Sequence, residues 1–128
     1  MNLEIEKSEQ YALVRVANES IDHEDSQILQ TKLLELLDSE DVTNVILDTN
    51  AIVHADESVL GAITFAHKRF AERGDILVVT GARPSLKQII ETAQIENLEM
   101  LPTIAEGVDL VFMHEIEKQL RSEGGEEF

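Results

Sequence analysis

The residues with the most chemical potential lie together at Asp56-Glu57-Ser58, two carboxylates and a hydroxyl in succession. Such a group could act as a general base, ligate a cation, or cap a helix. A serine-hydrolase reading fails, because Asp56-Glu57-Ser58-Val59-Leu60 lacks the Gly-x-Ser-x-Gly elbow that projects a nucleophile. Aspartyl-phosphate chemistry on Mg²⁺ fails too: Asp48 and Asp56 are acidic, but no acidic pair follows the first strand and no lysine closes the last. His23, His54, His67 and His114 are dispersed, with no i, i+4 pair near a third ligand, so no zinc or iron site is expected. The chain has no cysteine, which removes thiolate chemistry and disulfides and fits a reducing compartment. No enzymatic activity and no cofactor are expected. For Asp56 the reading favours helix capping over holding a metal during phosphoryl transfer to Ser58, and Ser58 itself reads first as an N-cap.

The elements that position this group are legible around it. Val45-Ile46-Leu47 is an unbroken apolar run closing on Asp48, as in a strand covered on both faces. A loop from Thr49 to Ala55 follows, and then the period changes. Val59, Ile63, Ala66 and Phe70 fall at i, i+4, i+7 and i+11, one buried helical stripe, and the helix closes at Gly74. Its N-terminus offers free N–H groups and the positive end of a dipole. Ser58, Ala62, Phe65 and Arg69 fall on another face. Phe65, flanked by Lys68 and Arg69, is therefore expected to be at least half-exposed, as an interface anchor is; packing under a neighbouring helix is the alternative.

The stretch resembles the central segment of STAS domains, the family of anti-sigma factor antagonists and their relatives. Their signature is a buried strand ending in an acidic residue, a short loop, and Asp-Ser-Ser/Thr-Gly-Leu-Gly opening a helix. In Asp56-Glu57-Ser58-Val59-Leu60-Gly61 the residues Asp56, Ser58, Leu60 and Gly61 match, while Glu57 stands at the phosphoacceptor position and Val59 at the first glycine. Ile21-Asp22-His23 matches the Leu-Asp-His after the second strand of such antagonists. The resemblance implies a bacterial protein-binding module of transcription regulation. Its partner would be an anti-sigma factor that is also a serine-protein kinase, met through Asp22, Asp56, Glu57, Ser58, Ala62, Phe65 and Arg69. A phosphoserine carries about −1.5 to −2 charges and three acceptor oxygens, so Glu57 would imitate the phosphorylated form only in part. Glu57 as a solvated residue near a helix N-terminus, and Ser58 as a displaced phosphoacceptor, stay open. So does plain capping by Asp22. The alternative function is a non-switching STAS scaffold subunit of a signalling assembly or of a lipid transporter. A small-molecule binder is a third, although no glycine-rich phosphate loop supports it.

The rest of the chain sets the frame. At 128 residues it fits one domain with a sizeable core, and 43% hydrophobic with 4% aromatic residues makes that core aliphatic. The net charge of −16 repels phosphate backbones and disfavours direct nucleic-acid binding, while it favours a partner with a basic face. No apolar run approaches the roughly 18–20 residues that cross a bilayer, so a cytoplasmic protein without membrane insertion is expected; a homo-oligomer stays open. Leu3 and Ile5 with Tyr11–Val16 read as a hairpin. Leu29, Leu33 and Leu36 mark a first helix, Ile76 to Val79 a strand, and Leu86, Ile89, Ile90 and Ala93 a helix opened by Pro84. A short strand at Glu99–Leu101, a capping box at Thr103-Ile104-Ala105-Glu106, and a helix face of Val108, Val111, Phe112 and Ile116 complete it. The expected fold is one α/β domain over residues 1–121, order ββαβαβαβα, with a mixed, mostly parallel sheet and four helices. Residues 122–128 read as a disordered acidic tail. The closing Gly-Gly-Glu-Glu-Phe resembles the diguanylate cyclase signature. In those enzymes it is a hairpin inside its own domain, so here it is expected to be coincidence.

Overall fold

Alternation along the strands sorts the core into two sides. Ala12, Val14, Val45, Leu47, Leu77 and Val79 face one cluster, and Leu13 and Ile46 face another with Val111. In the computed structural model, which describes residues 1–124, these strands form one five-stranded sheet in the order β1-β2-β4-β6-β7. Strand β1 (Leu3–Lys7) pairs antiparallel with β2 (Tyr11–Val16). Strands β4 (Asn44–Asp48), β6 (Leu77–Thr80) and β7 (Glu99–Leu101) then add in parallel.

Helices α1 (His23–Asp38), α2 (Val59–Glu72) and α3 (Pro84–Ala93) connect successive parallel strands in one direction across the sheet. Right-handed crossovers that all step the same way put their helices on the same face. Their stripes accordingly share the larger cluster: Leu29, Leu33 and Leu36 from α1, Val59, Ile63, Ala66 and Phe70 from α2, Leu86 and Ile90 from α3. Ile89 is only half-buried and Ala93 is exposed, because α3 lies at the margin of the layer. Helix α4 (Ile104–Gly124) returns across the opposite face and covers Leu13 and Ile46. Thr103 caps it, accepting from the Glu106 N–H at 3.2 Å.

Two corrections follow at α4. Val111 is buried and Val108 half-buried, but Phe112 and Ile116 point outward, since the inward positions beyond Val111 are taken by His114, Glu115 and Lys118, which bond to Gly74, Asn44 and Asp75. The helix also runs on through Ser122 to Gly124, where the tail was expected to begin, because no stop signal precedes the glycine pair. The remainder of that tail, 125–128, lies outside the described residues.

The structure adds two strands of two residues, β3 (Ser20–Ile21) and β5 (His54–Ala55), paired in parallel. At that length neither shows a period in sequence.

Buried Asn44 ties three elements together at the opposite end of the sheet. Its amide donates to the Gln10 carbonyl at 2.8 Å and to Glu115 at 3.0 Å, and accepts from the Ile76 N–H at 2.9 Å. Nearby, Asp75 binds Arg73 at 2.5 Å and Lys118 at 2.6 Å.

Candidate functional site

The loop after β4 is held from both sides before it reaches Asp56. Thr49, buried, donates its hydroxyl to the Thr80 carbonyl at 2.8 Å, and Ile52 is sunk in the core. The N–H groups of Val53 and His54 both donate to the Glu19 carbonyl, at 2.7 and 3.0 Å. The Ala55 N–H donates to Ser85 Oγ at 3.3 Å, and the Asp56 N–H to the Ile21 carbonyl at 2.9 Å. The last bond places Asp56 beside Asp22, one residue on from Ile21. A segment with its backbone groups so engaged is pre-organised and not free to collapse on a partner.

Asp22 caps α1. Its carboxylate accepts from the Asp25 N–H at 2.8 Å, and Asp25 reaches back to the Asp22 N–H at 3.1 Å, a reciprocal capping box. Asp56, two residues ahead of the α2 N-cap, closes the turn that leads into that helix, its carboxylate accepting from the Ser58 N–H at 3.0 Å. The Asp56 carboxyl is held below the usual carboxylate range by Ser58, whose hydroxyl lies close to it and whose N–H donates to it, and the nearby His23 adds to the effect.

Ser58 does not cap. It occupies the N-cap position with helical backbone angles, φ −58° and ψ −22°, and makes no side-chain cap bond. Its hydroxyl instead donates to Ser26 Oγ at 3.0 Å, and Ser26 in turn donates to the Asp22 carbonyl at 3.0 Å. Ser58 is half-buried by this relay and Ser26 is buried. Ser26 was missed in sequence. The signal was its place on the α1 stripe, three residues before Leu29 and seven before Leu33.

Glu57 is exposed and, among the described residues, its carboxylate has no hydrogen-bond or ion-pair partner. It stands at the mouth of a groove between the start of α2 and α3, with Leu60 on one wall and Ile89 and Thr92 on the other. Phe65 is 44% exposed, and the Arg69 guanidinium lies 5.8 Å from its ring centroid. Ala62 is a correction to the expected outer face. It is 1% exposed, because α1 packs directly against α2 and covers that edge of the Val59 stripe. On the other edge the segment after α3 buries His67, whose Nε2 meets the Glu96 carbonyl at 2.9 Å.

The site therefore gathers Asp22, Asp56, Glu57 and Ser58 at the carboxyl ends of the strands, with Phe65 and Arg69 one to three turns along α2. No group of three or more His, Cys, Asp or Glu side chains among the described residues is arranged to hold a metal. No helix among them is long and apolar enough to cross a membrane.

A mixed, mostly parallel sheet with three helices on one face and one on the other defines the class: a single α/β domain, here with an acidic loop and a helix N-terminus at the carboxyl ends of its strands. The model of the STAS domain family matches residues 2–110, and the chain belongs to that family. Its fold is similar to that of the anti-sigma factor antagonist SpoIIAA in its unphosphorylated form, at 15% identity and a TM-score of 0.75, over 86% of this chain and 96% of that one. It is also similar to RsbS of Moorella thermoacetica, in a variant with a serine replaced by glutamate. There the identity is 17% and the TM-score 0.72, over 87% and 95% of the two chains. A third likeness, at 14% identity and a TM-score of 0.67, is to the murine anion transporter Slc26a9; it covers 84% of this chain and 18% of the transporter.

Proposed function

We propose that this chain is a non-catalytic docking module of the anti-sigma factor antagonist type. It binds an anti-sigma factor of the serine-kinase kind through the surface running from Asp56 to Arg69, with Asp22 bordering it. Glu57 supplies a constant negative charge where an antagonist switch carries its phosphorylated serine. One observation carries the reading: Glu57 is exposed and unneutralised on a clamped loop, whereas the neighbouring Ser58 hydroxyl is turned inward to Ser26. A kinase would have to break the Ser58–Ser26–Asp22 relay to reach that hydroxyl, while Glu57 meets a partner without rearrangement. Phe65 gives the surface an apolar anchor and Arg69 holds the ring.

The test is incubation of the protein with the candidate anti-sigma kinase and ATP, followed by mass spectrometry and calorimetric titration. Binding without phosphate on Ser58 is the expected result, with Phe65→Ala weakening it about tenfold or more. Phosphate on Ser58 would overturn the constitutive reading.

A second reading has one observation in its favour, the likeness to part of an anion transporter. There the domain is a non-switching STAS scaffold subunit of a signalling assembly or of a lipid transporter, and Glu57 is a solvated residue. Absence of binding to any kinase-type partner, with large particles in light scattering, would favour it.

A further inference from the structure

Helix α4 is inverted relative to a helix that only folds onto its own core. Beyond Val111 its inward side is polar: His114 meets the Gly74 carbonyl at 2.8 Å, Glu115 accepts from Asn44 at 3.0 Å, and Lys118 joins Asp75 at 2.6 Å. Its outward side is apolar. Phe112, Met113, Ile116 and Leu120 are 45, 58, 58 and 61% exposed and form one stripe. At those exposures the four side chains put roughly 400 Å² of apolar surface into water, the size at which a patch on a soluble domain marks a contact site. Among the described residues, the inward contacts of this half of the helix are polar, and about half of each apolar side chain on its outer side is left in water. Those side chains suit another molecule.

Charge decides which one. Asp109 and Glu117 border the stripe on the helix itself. On the adjoining hairpin, Glu4 and Glu6 point to the same side of the sheet, since they pair in register with Arg15 and Leu13, and Leu13 lies beneath α4. Arg15 and Glu6, 3.8 Å apart, offset one another, which leaves Glu4, Asp109 and Glu117 against Arg121. Between helix and hairpin runs an open groove of about 690 Å³, with Phe112 and Ile116 on one wall and Gln10 opposite; Glu115 and Lys118, which also line it, are paired with each other at 3.2 Å.

We infer that this face docks a basic amphipathic helix of a partner protein, its apolar stripe against Phe112, Ile116 and Leu120 and its Lys/Arg flanks against the carboxylates. A second copy of the chain would bring its own net charge of −16 to the same acidic border, which opposes self-association. The face lies across the sheet from α2, so it is occupied independently of the Asp56–Arg69 surface. The domain then has two docking sides and bridges two proteins.

Three synthetic peptides of about 18 residues, long enough to turn helical on docking, serve as probes. One carries a Leu/Ile stripe with Lys/Arg flanks, one the same stripe with Glu flanks, and one the basic composition scrambled. Fluorescence anisotropy with the intact chain should show the basic amphipathic peptide binding at least about tenfold more tightly than the other two. Ile116→Gln combined with Leu120→Gln, both at exposed positions, should remove about tenfold of that affinity with an unchanged circular dichroism spectrum, and Phe65→Ala should not. Backbone amide shifts on titration should map to α4 and the β1–β2 hairpin. Equal binding of the scrambled peptide would reduce the effect to bulk charge and overturn the inference. So would indifference to the paired substitution, or a dimer in sedimentation that the pair dissolves, which would give the stripe to a second copy.

Discussion

Three neighbouring side chains show how far a single position can be read from its neighbours. Glu57 is exposed and unpaired among the described residues, the Ser58 side chain is turned inward without capping, and the Asp56 carboxylate holds the Ser58 N–H in the turn before the helix. Sequence supplies the residue types that cap; it cannot say which of two candidates, Asp56 or Ser58, has a buried hydroxyl opposite, because Ser26 is 32 positions from Ser58. Glu57→Ser should create a hydroxyl where the family signature has its phosphoacceptor, and label from a kinase-type partner should then appear at that position and not at Ser58. Label still absent, with binding intact, would separate docking from kinase recognition. Asp56 carries a pH signature. Its folded-state pKa is depressed, so its stabilisation is present above the ordinary carboxylate value and disappears as the pH falls through the depressed one. Asp56→Ala should therefore lower the Tm at neutral pH, and its melting curve should converge with that of the parent chain in acid.

The elements with a strong period were legible, and those that depend on a neighbour were not. Val45-Ile46-Leu47 and Leu77-Val78-Val79 read as buried strands because unbroken apolar runs admit few other fates, and all six are at most 1% exposed. Phe65 read correctly as half-exposed, yet Ala62 did not, because a helical wheel holds no information about how closely α1 approaches. The outer face of α4 was misread for the converse reason: an apolar spacing signals burial against something, and that something need not be the same chain. How α4 approaches the sheet makes a test at Gly107. A Cβ there would lie 3.0 Å from Thr80 Cγ2 and 3.3 Å from Ile46 Cγ2, both buried and held in strands. Alanine ordinarily favours a helix by about 1 kcal/mol over glycine, but overpacking costs about 1–3 kcal/mol, so Gly107→Ala should destabilise in urea melts by about 1 kcal/mol. The other end of α4 should respond to alkali. Burial lowers the Lys118 pKa, but the Asp75 and Glu115 carboxylates raise it by more, and the net shift is upward. Its stabilisation is complete below the ordinary lysine value of 10.5 and is lost as pH rises through the raised one. Lys118→Met should lower the Tm at pH 7, and the gap should close only in strong alkali.

At the scale of the molecule, the strand order follows from two rules already contained in the sequence. A hairpin starts the sheet, and single helices between parallel strands add each new strand on one side with one hand. What the order of elements leaves open is the distribution of charge over the finished surface. The net charge is −16, and on the candidate surface the acidic loop of Asp56 and Glu57 is followed by Lys68 and Arg69 further along α2, beside the aromatic anchor. A field of that kind acts at a distance and is screened beyond about 8 Å at physiological ionic strength, so it speeds encounter with a basic partner more than it holds the complex together. Stopped-flow measurement of the proposed antagonist complex should accordingly show an association rate that falls about tenfold or more between low and high salt, with a dissociation rate that barely changes. Salt dependence concentrated in the dissociation rate would mean that the partner's basic groups are buried against Glu57 in the bound state. Glu57→Gln would then have to slow association little and accelerate dissociation strongly, whereas a charge that only steers does the reverse.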